Sequence, residues 1–176
     1  MMAIAGRTPP ELQWLQALHQ PERVLGWDLS RWQLIVRLSR RLRLLGRLAE
    51  SVEAAGLMSE VPSVVSPHLT AELRMSRARL KVMAWTVEQM GCTFQDAKHP
   101  IVLLKGAAYL AQRISICAGR LPSDLDILVP HHALTQAQER LKEHGWWEVD
   151  LDEHDRQYYR EWSHEIPPMH HERFGI

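Results

Sequence analysis

The length, composition and charge of the chain exclude several classes of protein. Its 176 residues are 45% apolar, which is enough for a folded core and excludes an intrinsically disordered chain. Lys+Arg and Asp+Glu both number 21, and this neutrality argues against a nucleic-acid-binding module or a protein held on an anionic membrane. With two cysteines, no secretory leader in the first residues and no apolar run near the ~18 residues of a bilayer span, we expect a cytoplasmic protein without membrane contact.

The first half of the chain is patterned for helices. A short helix is predicted over residues 11–19, and a long one over residues 29–55, where apolar side chains recur at helical spacing. A third amphipathic helix is predicted over residues 67–91, with Ser66 suited to its N-cap. The sequence therefore predicts a helical region over residues 1–95.

The pattern changes after Pro100, where short apolar runs replace the helical stripes. Strands are predicted over residues 101–104, 124–129 and 146–151, with helices in the two intervals between them. The sequence thus predicts an α+β fold, in which the N-terminal helical region precedes a small mixed β-sheet with flanking helices over residues 96–176.

Asp124 and Asp126 are the first candidates for chemistry. They stand two residues apart at the entrance to a predicted strand, so both carboxylates are expected on the same face. Two adjacent carboxylates repel each other unless a cation lies between them. Mg²⁺ suits such a pair because it binds a few carboxylate oxygens together with substrate phosphates. An Asp-x-Asp pair is by itself a weak signal, since such residues also serve in turns and helix caps.

A second candidate lies upstream, at Leu104-Lys105-Gly106. The glycine stands where a predicted strand ends and a helix begins, and the missing side chain would let a phosphate approach the free backbone N–H groups there. Lys105 would add a mobile positive charge. The competing interpretation is a tight strand–helix turn that carries an exposed lysine.

The two candidates also belong to a longer series of residues whose order and spacing carry a resemblance. The series consists of Val102-Leu103-Leu104-Lys105-Gly106-Ala107-Ala108, Arg120, Ser123-Asp124-Leu125-Asp126-Ile127-Leu128-Val129-Pro130, Leu141 and Gly145-Trp146. It resembles the uncharacterised bacterial nucleotidyltransferase family of the polymerase-beta-like superfamily, in which Leu-Leu-Lys-Gly stands where relatives have a Gly-Ser turn. His164-Glu165-Ile166-Pro167-Pro168-Met169 is similar to a later stretch of that family, so the resemblance covers roughly residues 101–176.

The resemblance implies a nucleotidyltransferase fold that binds an NTP and Mg²⁺ (or Mn²⁺). It implies transfer of a nucleoside monophosphate to an acceptor hydroxyl on a small molecule, a protein or an RNA. Asp124 and Asp126 would be catalytic metal ligands. Nucleotide binding would fall to the phosphate-binding turn and the residues that flank the carboxylates, namely Lys105, Gly106, Arg120 and Ser123.

The sequence departs from the family pattern at two points. Ser123 stands where a glycine is common, and the third carboxylate that the superfamily supplies from a later strand is missing. Glu148, Asp150 and Asp152 are the candidates that could substitute for it, but their order along the chain differs from that of the family. We therefore expect a C-terminally truncated member with an incomplete core.

A second hypothesis follows from the missing carboxylate. The chain would then be a catalytically silent module of the same fold that binds a nucleotide or a protein partner.

An incomplete sheet would also leave an unpaired edge, and such edges recruit a second chain, so we expect a homo-oligomer.

Two other groups of residues have alternative interpretations. The arginines between Arg37 and Arg47 could form a phosphate or RNA surface, but overall neutrality favours a solvated helix face. A zinc hypothesis is invited by seven histidines of the second half, but their spacing matches no recognisable zinc site, which favours surface or loop histidines: His131, His132, His144, His154, His164, His170 and His171.

Overall fold

The structure is a computed structural model, which describes residues 8–120, 123–159 and 165–172. His164 and the last four residues, which the sequence interpretation used, lie outside that part. The chain divides into two compact units: Met1–Val87 with Leu103–Asp126, and Glu88–Val102 with Ile127–Ile176. The sequence-based division into residues 1–95 and 96–176 stays a prediction.

The first unit is a helical assembly around one apolar core. Up to Val87, its helices are α1 (Pro10–His19), α2 (Leu29–Arg41), α3 (Leu45–Ala54) and the part of α4 (Ser66–Thr93) that runs to that residue. The most deeply buried large side chains are Trp32, Ile35, Leu45, Leu48, Val52 and Leu69. Ile35, Leu45, Val52 and Leu69 lie on the apolar stripes that the sequence predicted, whereas Trp32 and Leu48 were not part of them. Leu34 and Leu42, which the predicted stripe included, are exposed. The predicted helices at 11–19 and 67–91 are confirmed.

The helix predicted over residues 29–55 is interrupted in the structure. It ends at Arg41, and α3 begins at Leu45 after a left-handed residue, Arg43, with φ +56°. Arg43 N donates to Arg40 O (3.0 Å) and Leu44 N donates to Ser39 O (2.7 Å), which is the pattern of a Schellman motif. The prediction of one continuous helix is wrong here because such a motif is normally marked by glycine or asparagine, and arginine gives no such signal.

The left-handed conformation of Arg43 leads to a stability prediction. Arg43→Gly should raise the free energy of unfolding by about 1 kcal/mol, because glycine adopts this conformation without a Cβ clash. The matched control is Gly56, which ends α3 at φ +72° and whose added Cβ would meet nothing within 4 Å. Gly56→Ala should lower the same quantity by about 1 kcal/mol for the backbone reason alone. Urea unfolding measures both, and equal changes of the same sign would contradict the account.

The segment from residue 102 to residue 128 contains the strand-to-helix turn of the sequence prediction. Strand β1 (Val102–Leu103) is followed by helix α5 (Lys105–Ala111), and strand β2 (Ile127–Leu128) comes later. β1 and β2 form a two-stranded sheet. Both strands are shorter than the predicted segments 101–104 and 124–129, so Asp124 and Asp126 lie just before β2 rather than within it.

The second unit packs a helix against a small antiparallel ladder. Its elements beyond β2 are α6 (Leu134–Glu143), β3 (Trp146–Glu148), α7 (Glu153–Tyr158) and β4 (Met169–His171). Trp146 pairs with His171 and Glu148 pairs with Met169, and the Trp146 and His171 rings meet edge to face at 5.2 Å. Ala137, Leu141 and Trp146 form the buried side of this unit.

The α+β class is confirmed, and the arrangement of the strands adds detail. Among the described residues the strands form two two-stranded sheets, β1–β2 and β3–β4, rather than one small mixed sheet. Strand β4 was not predicted because Met169-His170-His171 shows no apolar alternation. In the same part of the chain, no helix combines the length and apolar character that a membrane span requires.

Candidate active site

The turn between β1 and α5 brings the upstream lysine next to the acidic segment. The Leu104 backbone is extended, and its N–H donates to the backbone oxygen of Asp126 (2.9 Å). The next residue, Lys105, is left-handed with φ +46° and is the first residue of α5. A left-handed lysine costs roughly 1–2 kcal/mol, and such residues persist where the surrounding structure holds them, often at functional sites.

The side chains of Lys105 and Asp126 form an ion pair across this turn. Lys105 Nζ lies 3.1 Å from Asp126 Oδ2, with the lysine side chain 73% exposed and the aspartate side chain 32% exposed. An ion pair this open to water contributes little to stability. Its significance is geometric, because it places a cation and a partly buried carboxylate together at the start of a helix.

Three other predicted site residues lie on the same segment of chain or on α5. Ser123 Oγ donates to Asp124 Oδ1 (3.0 Å), and both residues are exposed. Gly106 is the second residue of α5 and is half-buried. The left-handed residue at this turn is Lys105, one position before the glycine.

Arg120 lies against α5. Its guanidinium carbon is 5.8 Å from the centroid of the Tyr109 ring, which is the geometry of a cation–π contact. Arg120 N also donates to Cys117 O (3.1 Å), at the end of a short 3₁₀ turn, Ser115–Cys117. The helix that begins at Lys105 therefore also supports the exposed Arg120.

The segment that carries Arg120 is fastened to α3 by two features that the sequence interpretation missed. Arg47 Nη1 donates to the backbone oxygens of Ser115 (3.1 Å) and Ala118 (2.6 Å). A Cβ on Gly46 would lie 2.3 Å from the backbone oxygen of Gly119, so the two backbones touch where neither has a side chain. Arg47 is half-buried and is not part of a solvated face, which corrects the interpretation of that arginine. A glycine inside an apolar helical stripe was the one available signal.

The Arg47 contact leads to a local prediction. Arg47→Met should lower the free energy of unfolding by about 2 kcal/mol, because two carbonyl groups lose a charged donor. Amide hydrogen exchange over residues 115–120 should also become faster, since that turn loses its tie to α3. Arg37→Met is the control, because exposed Arg37 bonds only Gln33 O of its own helix among the bonds resolved here (3.3 Å). Equal exchange rates in both variants would refute the role of Arg47.

Cys117, buried in this turn, has an inert environment. Burial raises the pKa of its thiol, and the charges of Arg120 and Arg47 only partly oppose that effect. The thiol therefore stays protonated near neutral pH, and a protonated thiol is a poor nucleophile and a poor metal ligand.

Asp124 and Asp126 are the residues near the turn that could hold a divalent cation. Across residues 8–120, 123–159 and 165–172, no group of three or more His, Cys, Asp or Glu residues could hold a metal ion. Two carboxylates on one short segment still match Mg²⁺, which takes one or two protein carboxylates and completes its shell with substrate phosphates and water. The Lys105 ammonium already lies against Asp126 Oδ2, where a cation would bind.

The acidic residues of the second unit have structural partners. Glu148 accepts hydrogen bonds from Gln138 Nε2 (2.7 Å) and pairs with Lys142 Nζ (2.7 Å). Asp152 Oδ1 accepts a hydrogen bond from Asp155 N (2.8 Å) at the start of α7, as an N-cap side chain does. These contacts give Glu148 and Asp152 structural roles that require no metal ion.

A comparison with known protein families shows which family the chain belongs to. The family model described as "uncharacterised nucleotidyltransferase" matches residues 28–174, which is most of the chain and includes every candidate residue named above. The chain belongs to this nucleotidyltransferase family. No curated protein and no solved structure matches it. Membership implies an NTP substrate, and the turn at Lys105 with the Asp124–Asp126 segment is its candidate active site.

Proposed function

We propose that this nucleotidyltransferase-family chain transfers a nucleoside monophosphate from an NTP to an acceptor hydroxyl, with Mg²⁺ or Mn²⁺ bound by Asp124 and Asp126. The observation that carries the proposal is the pairing of Lys105 with Asp126 at the β1–α5 turn, 3.1 Å apart and open to solvent. A charge for the phosphates and a carboxylate for the metal then stand side by side. We further propose a cytoplasmic, homo-oligomeric protein whose acceptor is a small molecule, a protein or an RNA.

Each residue has a role in binding or orientation. Lys105 attracts the triphosphate, and Gly106 lets a phosphate approach the start of α5. Arg120, held near Tyr109, contributes a second positive charge for the phosphates. Ser123 orients Asp124 through its hydroxyl group. A bound divalent cation would neutralise the phosphate oxygens and lower the barrier to displacement.

The reaction is an in-line displacement at the α-phosphorus. The acceptor oxygen forms a bond to that phosphorus while the bond to the bridging oxygen of pyrophosphate breaks. The hydroxyl proton leaves to solvent, and pyrophosphate departs with the bonding electron pair. The protein contributes position and charge, which are the main requirements of reactions at phosphorus.

A specific observation supports a second candidate function. The candidate site has two acidic residues on one segment, and the described part of the chain contains no cluster of three potential metal ligands. This arrangement suits a module that binds a nucleotide without turning it over. The two functions differ in one respect that can be measured. The silent module binds an NTP without releasing pyrophosphate.

The test uses each of the four NTPs labelled with ³²P at either the α or the γ position, with Mg²⁺ and separate small-molecule, protein and RNA acceptor fractions. Nucleotidyl transfer moves the α label to an acceptor and releases an equal amount of pyrophosphate. Transfer of the γ label would show phosphoryl transfer instead. Retention of both labels with bound nucleotide would establish the silent module.

A further inference from the structure

The ion pair between Lys105 and Asp126 has a consequence for how the metal enters. We propose that Lys105 is a latch on Asp126: its ammonium group holds the carboxylate in the free protein, and the triphosphate of the nucleotide draws it away so that the metal takes its place. This inference rests on the proposed function, and it makes metal binding depend on substrate.

The first step is competition for one carboxylate. Lys105 Nζ lies 3.1 Å from Asp126 Oδ2, a distance at which the ammonium group and a divalent cation cannot both contact that oxygen without strong repulsion. In the free protein, the ammonium group of Lys105 therefore already occupies the position of a cation at Asp126. A metal ion that arrives alone must displace it.

The second step is the ease of release. The backbone at Asp126 is fixed by the hydrogen bond from Leu104 N (2.9 Å), whereas the lysine side chain is 73% exposed on a flexible stem. An exposed ion pair is weak and is readily exchanged for a better partner. A triphosphate carries several negative charges and attracts an ammonium group more strongly than one carboxylate does. Only a side chain has to move.

The backbone conformation of Lys105 supports the latch independently of the ion pair. Lys105 is left-handed, a conformation that glycine or asparagine adopts at lower cost, yet a long cationic side chain stands there. A non-glycine residue in this conformation motivates a functional hypothesis, since the conformation costs free energy that the surrounding structure has to supply. The position is set by the strand–helix turn, beside the carboxylate of Asp126.

The consequence is linkage between the two ligands. In the wild type, nucleotide raises metal affinity because it removes the competing ammonium group, and metal raises nucleotide affinity by the same factor. Removal of Lys105 should then strengthen the binding of metal alone. Removal of the Asp126 charge should strengthen the binding of triphosphate alone.

The first arm of the test measures Mn²⁺ binding without nucleotide by electron paramagnetic resonance. Lys105→Met should bind Mn²⁺ roughly tenfold more tightly than wild type, because one positive charge near the divalent ion is gone. Lys142→Met is the matched control, because Lys142 forms a similar pair with Glu148 in the other unit and should leave Mn²⁺ affinity unchanged. Lys105→Gly repeats the test with a residue that fits the left-handed backbone.

The second arm measures the binding of inorganic tripolyphosphate in the presence of a chelator. Asp126→Asn should bind it at least roughly threefold more tightly than Asp124→Asn, because both variants lose one negative charge but only the first removes the charge of the carboxylate that lies 3.1 Å from Lys105 Nζ. Equal affinities in these two variants would overturn the latch.

The outcomes separate the latch from the proposed function. If Lys105→Met and Lys105→Gly bind Mn²⁺ no more tightly than wild type while Asp126→Asn loses it, the latch is wrong and the metal site stands. If Asp126→Asn binds Mn²⁺ as wild type does, or if wild type and both Lys105 variants bind none, the metal site and the latch are both wrong.

Discussion

Asp126→Asn is expected to lower the rate of nucleotidyl transfer by roughly 10³-fold, equivalent to about 4 kcal/mol of transition-state stabilisation. The amide keeps the shape of the side chain but loses the charge that would hold the metal. The fold should survive, since the exposed pair with Lys105 contributes at most about 1 kcal/mol. Pyrophosphate release measures the rate, and thermal unfolding followed by circular dichroism measures the stability.

Glu139→Gln is the control for this substitution. Glu139 is exposed on α6, outside the candidate site, so its loss of charge should change the rate less than about twofold. A variant at Asp126 that retains a tenth or more of the wild-type rate would mean that this carboxylate does not hold a metal required for transfer.

Gly46→Ala is expected to lower the free energy of unfolding by about 3 kcal/mol or more. An added Cβ would lie 2.3 Å from Gly119 O and 3.0 Å from Gly119 C, and both are backbone atoms that cannot rotate away. The clash has to separate α3 from the 115–119 segment, at a cost in the range of severe overpacking. The loss should be accompanied by faster hydrogen exchange over residues 115–120.

The same substitution at Gly91 should have the opposite sign. Gly91 lies inside α4 and is exposed, and an added Cβ there would meet nothing within 4 Å. Alanine is the better helix former, so Gly91→Ala should raise the free energy of unfolding by about 1 kcal/mol. Urea denaturation of both variants is the measurement. Similar effects at the two glycines would show that the contact between Gly46 and Gly119 is not close.

Helices were predictable from the sequence where one apolar stripe runs without interruption. The spacing of apolar side chains is a local property, and it placed α1 and α4 within two residues of their ends. The break at Arg43 was not predictable, because the apolar stripe of 29–55 continues through it. A left-handed arginine at a helix end is set by how α3 packs, and a single sequence does not contain that information.

The sequence predicted individual residues of the candidate site but not their arrangement in space. Sequence patterns proposed Lys105, Asp124 and Asp126, but the contact between Lys105 and Asp126 joins residues 21 positions apart through backbone pairing of two very short strands. Such pairing depends on long-range packing. Arg47 was missed for the same reason, since its partners Ser115 and Ala118 are about 70 residues further along the chain.

In the proposed function, Asp124, Asp126 and Lys105 build one site for a metal-bound NTP. The most direct test is calorimetric titration of Mn²⁺ into the protein, with and without a non-hydrolysable NTP analogue, corrected for the metal that the nucleotide itself binds. Wild type should bind Mn²⁺ at least roughly tenfold more tightly with the analogue present, and Asp126→Asn should lose that gain. Equal nucleotide-dependent Mn²⁺ binding by wild type and Asp126→Asn would contradict the account.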